Sequence, residues 1–172
     1  PHDAFVGGFG TGVLPDELTT ELGCSWAITE GYHKIFACCQ YAHSAIEAAE
    51  ELLTCRTDVV PAKDIERIIV ETHRRGLSLD NPEPATSLAA RFSLPHIMAV
   101  HMHFGHAGAE AFTASTLNDP AIASLRARVE IKPYEPERPW PQDRPARVTW
   151  VLRTGEQAEA ECRSARGGPD RP

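Results

Sequence analysis

The sequence has no run of eighteen apolar residues, so no membrane-spanning helix is expected. It has no excess of positive charge either. The formal net charge is −7, which argues against nucleic acid or an anionic membrane surface as partner. An anionic ligand would need a local positive pocket against that background. No C-x-x-C pair occurs, so a structural zinc site is not expected. The five cysteines, Cys24, Cys38, Cys39, Cys55 and Cys162, are odd in number and fit no disulfide scaffold. A reducing cytoplasm is the simplest home for them. There is no internal repeat and no low-complexity block. The opening Pro1-His2-Asp3 is neither a signal peptide nor a translation start, and the chain reads as a piece of something longer.

What is present suits one domain. The length is 172 residues, 42% of them hydrophobic, enough for a single core. Gly8-Phe9-Gly10-Thr11-Gly12 lacks the spacing and the preceding strand of a dinucleotide fingerprint, so residues 1–25 read as a connector. Trp26 to Thr29 suggests a short strand. Ser44 to Leu53 reads as a helix, with Ile46, Ala49 and Leu53 on one face. Ile65 to Thr72 becomes a β-branched, alternating strand. Thr86 or Ser87 caps a helix that Leu94-Pro95 interrupts. A second helix follows from Pro95 to about Phe104. Asp119-Pro120 opens another, and Arg128 to Lys132 alternates as a strand. A proline-rich loop then leads to a hairpin, Val148–Leu152 and Glu156–Ala160, turning at Arg153-Thr154-Gly155. The resulting fold class is α+β: a mainly antiparallel sheet with helices packed on one side.

One stretch stands out. Lys34-Ile35-Phe36-Ala37-Cys38-Cys39-Gln40-Tyr41-Ala42-His43 sets an ammonium, two thiols and an imidazole just before the alanine-rich helix. Donors gathered at a helix start suit a small carboxylate, because the helix end adds partial positive charge and free N–H groups. Lys34 can pair a carboxylate as a point charge. His43 can donate to one or move a proton near neutral pH. Arg91 offers a planar fork. Cys38 and Cys39 read as small buried fillers, with a thiolate near Lys34 as the rival. His101, His103 and His106 invite a metal reading, but on a helix His101 points away from the other two, and surface histidines are the preferred account.

The order of these features resembles the C-terminal, smaller domain of the MmgE/PrpD family, which includes 2-methylcitrate dehydratase, cis-aconitate decarboxylase and iminodisuccinate epimerase. The residues that carry the resemblance are Lys34 to Ala49, then Asp64 to Thr72, then Ala90-Arg91-Phe92-Ser93-Leu94-Pro95-His96 with Ala99 and Gly105. The Asp119-Pro120 helix, the Arg128–Lys132 strand and the hairpin complete it. The resemblance implies a lid-type domain over 26–172 and a larger helical domain, not in this chain, that shares the active site. It implies a homodimer for the full-length protein. It implies a small di- or tricarboxylate substrate, handled by proton abstraction next to a carboxylate, then loss of water or CO2, or reprotonation. Lys34 and His43 are the implied catalytic residues. Lys34, His43, Arg91, Ser93 and His96 are the candidate substrate contacts. Where the family often shows Tyr, this chain has His96, which puts a tyrosine role there in question. No metal or cofactor is implied, since protein cations can stabilise enolate-like charge. Two rivals remain: a non-catalytic interaction or dimerisation module, and a thiol- or metal-dependent activity.

Overall fold

The computed structural model describes residues 19–24, 26–55 and 62–172. The chain divides into two compact units, Pro1–Gly31 and Tyr32–Pro172. The Gly8–Gly12 segment lies outside the described residues. In the first unit the strand expected at Trp26–Thr29 is instead a 3-10 turn, Ala27–Glu30. The Trp26 carbonyl accepts from both the amide and the hydroxyl of Thr29. That local bond closes a turn where the β-branched pattern suggested extension.

The second unit holds a four-stranded sheet and, among the described residues, five α-helices. The strands are β1 (Ile65–Thr72), β2 (Val129–Pro133), β3 (Ala146–Leu152) and β4 (Gln157–Cys162), in spatial order β2-β1-β3-β4. The helices are α1 (His43–Cys55), α2 (Ser87–Ala90), α3 (Leu94–Phe104), α4 (Ala114–Leu117) and α5 (Pro120–Arg126). The α+β class holds. The sheet is mixed rather than purely antiparallel: β1 pairs parallel with β2 and antiparallel with β3, and β3 pairs antiparallel with β4. A parallel pair needs a crossover, and the helical run α2–α5 between β1 and β2 supplies it.

One face of the sheet is apolar. Ile68 opposes Trp150, Val70 opposes Val148, and Val148 opposes Ala160; all five side chains are buried. Helix α1 lies over β3 and β4 through Ala45, Ile46, Ala48, Ala49 and Leu52. Three of those five are alanines, so the helix axis can come close to the sheet. The other face is polar. Arg147 lies 3.0 Å from Glu71, 3.0 Å from Glu161 and 3.6 Å from Glu159. An antiparallel segment with one wet face tolerates such a ladder.

Helix α3 starts as its sequence demands. Ser93 caps it by accepting from the His96 amide, Pro95 occupies the first turn, and Gly105 closes it at φ 76°. Every residue from Leu94 to His101 is buried, because α1, α5 and β2 surround it. Of the large apolar side chains on this helix, only Phe104 is exposed. Exposed apolar side chains of this unit also include Ile35, Leu88 and Phe92.

The tail after β4 is irregular but tied down. Buried Glu47 on α1 accepts from the Arg166 amide (2.7 Å), from Arg166 Nε (3.2 Å) and from Arg171 Nη1 (3.0 Å). Between those arginines, Gly167 adopts φ 91° and its carbonyl accepts from the His33 amide at 2.7 Å. A Cβ at Gly167 would overlap the His33 carbonyl oxygen, so only glycine fits there.

Glu47→Gln keeps the size of the side chain and removes the charge that gathers two guanidiniums. We expect it to lower unfolding free energy by about 1.5–3 kcal/mol, the range for a hydrogen bond to a charged group, read from urea denaturation. A loss below about 0.5 kcal/mol, the scale of an ordinary surface change, would mean that the tail is not held by this carboxylate.

Candidate functional site

The segment leading into α1 is pinned by two backbone bonds. The Ala37 amide donates to the Ala107 carbonyl (3.0 Å), and the Cys39 amide to the Arg91 carbonyl (2.8 Å). This sets Lys34, Phe36, Ala37 and Cys38 opposite Leu88, Arg91 and Phe92, around a depression of about 370 Å3. Lys34 is exposed and Arg91 half-buried. The Arg91 guanidinium carbon lies 5.9 Å from the centre of the Phe112 ring, which holds the side chain without neutralising it. Among the described residues neither Lys34 nor Arg91 has an acidic partner. The depression therefore carries two uncompensated cations in a chain of net charge −7.

Both cations pull the Cys38 thiol down. Burial, reinforced by neighbouring Cys39, outweighs them and pushes it up to about 12. Cys38 is thus a neutral filler at physiological pH, and the thiolate reading loses its nucleophile.

His43 is the first residue of α1 and is fully buried. The two donors gathered at the helix start thus differ in setting: Lys34 is exposed and His43 lies inside. The Phe36 ring, part of the wall of the depression, packs edge-on against the imidazole with centroids 5.1 Å apart. His43 Nδ1 lies 3.1 Å from the Tyr32 hydroxyl, and Nε2 has no hydrogen-bond partner within the described residues. Burial, then the charge of Lys34, lower its pKa to about 4. The imidazole is neutral across the physiological range.

The remaining candidates stand apart. Ser93 is buried, caps α3 and donates to the Asn81 carbonyl. Its hydroxyl is committed to structure. His96 is buried, with Nδ1 3.1 Å from Arg126 Nη1. Burial and Arg126 lower its pKa to about 4. Neither Ser93 nor His96 lines the depression, although His96 shares the Phe112 ring with Arg91. His101 is buried with both ring nitrogens unpartnered, whereas His103 and His106 are exposed, and His106 Nδ1 lies 3.3 Å from Glu110. Among the described residues no three His, Cys, Asp or Glu side chains are grouped to hold a metal ion. The sequence reading missed Tyr32. Eleven residues separate it from His43, and no periodicity links the two.

The fold and this corner define an α+β domain with a two-cation depression at the start of its longest described helix. The chain belongs to the MmgE/PrpD family: residues 36–172 match the MmgE/PrpD C-terminal domain. It is 30% identical over 118 residues to a cis-aconitate decarboxylase-like protein, oryM, of Aspergillus oryzae. That match covers 64% of this chain and 24% of the relative, so the chain corresponds to about a quarter of the relative's length.

His43, His96 and His101 each have a pKa lowered to about 4. An unfolded histidine takes up its proton near 6.5. Between those values the unfolded chain binds protons that the fold refuses, so stability is full above pH 6.5 and falls as pH drops toward 4. The urea midpoint should decrease from pH 7 to pH 5, before most carboxylates titrate, and His101→Leu should flatten that decrease. A constant midpoint over this interval would contradict the burial of these rings.

Proposed function

We propose that this domain is the C-terminal, lid-type part of an enzyme that acts on small di- or tricarboxylic acids by proton abstraction next to a carboxylate. Dehydration, decarboxylation and epimerisation share that first step. The family membership and the decarboxylase-like relative support this class. The observation that carries it is the pair of unneutralised cations, Lys34 and Arg91, on one depression. Lys34 supplies a point charge and Arg91 a planar fork for a second carboxylate oxygen pair. Both also favour the enolate-like charge that follows proton loss. His43, a neutral imidazole behind Phe36, completes the set. Exposed Leu88 and Phe92 on the depression, with Ile35 beside Lys34, are surface that the helical domain of a full-length homodimeric enzyme would cover. The domain alone would bind substrate weakly and not turn it over.

Titration of the labelled chain with cis-aconitate or citrate, followed by NMR, tests this. Lys34→Ala and Arg91→Ala should each weaken binding by about tenfold or more, the scale of one charge-assisted hydrogen bond. Cys38→Ser should change little. Added salt should weaken binding. His43 stays uncharged down to about pH 4, so affinity should not rise as pH falls from neutral. Shifts that persist unchanged in both cation variants would overturn the carboxylate reading.

A further inference from the structure

We infer that Tyr32 is a positioning residue: its hydroxyl donates to Nδ1 of His43, so that the imidazole presents an N–H, not a lone pair, at Nε2. This rests on the carboxylate reading above and assigns His43 its part in it.

The geometry leaves few alternatives. Tyr32 Oη and His43 Nδ1 are 3.1 Å apart, within range of one hydrogen bond with a proton between them. Among the described residues Nδ1 is the acceptor within reach of the half-buried Tyr32 hydroxyl, and donation there satisfies its proton within the protein. Burial, with the Glu47 carboxylate as the next cause, raises the Tyr32 pKa to about 12, so the proton is there to give. A neutral imidazole whose Nδ1 accepts must carry its hydrogen on Nε2. With Nδ1 turned to Tyr32, Nε2 is the nitrogen left to carry the ring hydrogen. It is buried without a hydrogen-bond partner, a donor held in reserve.

Tyr32 is itself held. Its neighbour His33 donates to Gly167, and Gly168 lies against the tyrosine ring. The tail that Glu47 anchors thus also sets the position of the phenol. The charged groups around the imidazole are Lys34 and Glu47, of opposite sign, and neither meets His43 in a hydrogen bond.

The chemical consequence is a division of labour. An imidazole with Nε2–H is a hydrogen-bond donor, suited to a substrate carboxylate or to the enolate oxygen that develops after proton loss; His43 is buried behind Phe36, so that ring must shift for the two to meet. No proton needs to leave it. It is not the base that removes the substrate proton, and that base lies on another residue.

The test is 15N NMR of the chain labelled at histidine nitrogens. In the wild-type protein, His43 Nε2 should give the signal of a protonated ring nitrogen and Nδ1 that of an accepting one. Tyr32→Phe removes only the hydroxyl and should draw the two signals toward each other as the tautomers mix. Carboxylate titration of Tyr32→Phe should show binding weaker than wild type but not abolished, because the imidazole N–H is no longer fixed while Lys34 and Arg91 are untouched. A protonated Nδ1 in the wild-type spectrum overturns the inference, and that spectrum decides even if the variant does not fold. Unchanged His43 signals in a folded Tyr32→Phe also overturn it. Neither result touches the carboxylate reading, which falls instead if Lys34→Ala and Arg91→Ala bind normally.

Discussion

The structure depends on how closely α1 lies on the sheet. Its inner face is mostly alanine, so helix and sheet approach without large side chains to hold them apart. That closeness removes water from any polar group on the same face. His43 and Glu47, one turn apart, are both caught there, and a buried polar group without a partner is costly. Glu47 draws in two arginines from the C-terminal tail. His43 cannot be satisfied by charge, since Lys34 already disfavours its protonated form. It remains neutral and takes a phenol. The tail meets both needs, because the stretch that carries the arginines also fixes the segment bearing the phenol.

A second consequence is electrostatic. Burial holds the candidate histidines, His43 and His96, neutral well below physiological pH. The positive character of the depression thus comes from the ammonium of Lys34 and the guanidinium of Arg91. On the proposed reading, such a pocket would attract carboxylates through these two groups, and the neutral imidazole would act through direction rather than charge.

Much of the fold was legible in the sequence where local chemistry decides. Proline at the first turn after Ser93 and Asp119 marked α3 and α5, and Gly155, at φ 85°, marked the hairpin. Alternation in Ile65–Thr72 marked β1. The parallel pairing of β1 with β2 was not legible, since it follows from how the helical crossover returns the chain. The turn at Ala27–Glu30 escaped because a single threonine hydroxyl outweighs a weak β pattern. In the site, Lys34 was legible in the donor-rich stretch before α1 and Arg91 in its planar fork, with the resemblance supporting both; periodicity marked neither. The burial of His43 could not be read, because the alanines that bring α1 close also suit an exposed helix. Tyr32 carried no signal at all: its meeting with His43 is a tertiary contact with no spacing rule.

The central position of β1 bears on how the chain comes together. Ile68 on β1 pairs with Val129 on one side and with Trp150 on the other. Both neighbours are synthesised long after it. Until they arrive, the strand offers two open edges and a row of isoleucine and valine to anything nearby. Contacts this distant along the chain are slow to form. A nascent chain emerging from the ribosome would therefore hold its most aggregation-prone segment unpaired through the whole helical crossover, and the last hairpin is what ends that exposure.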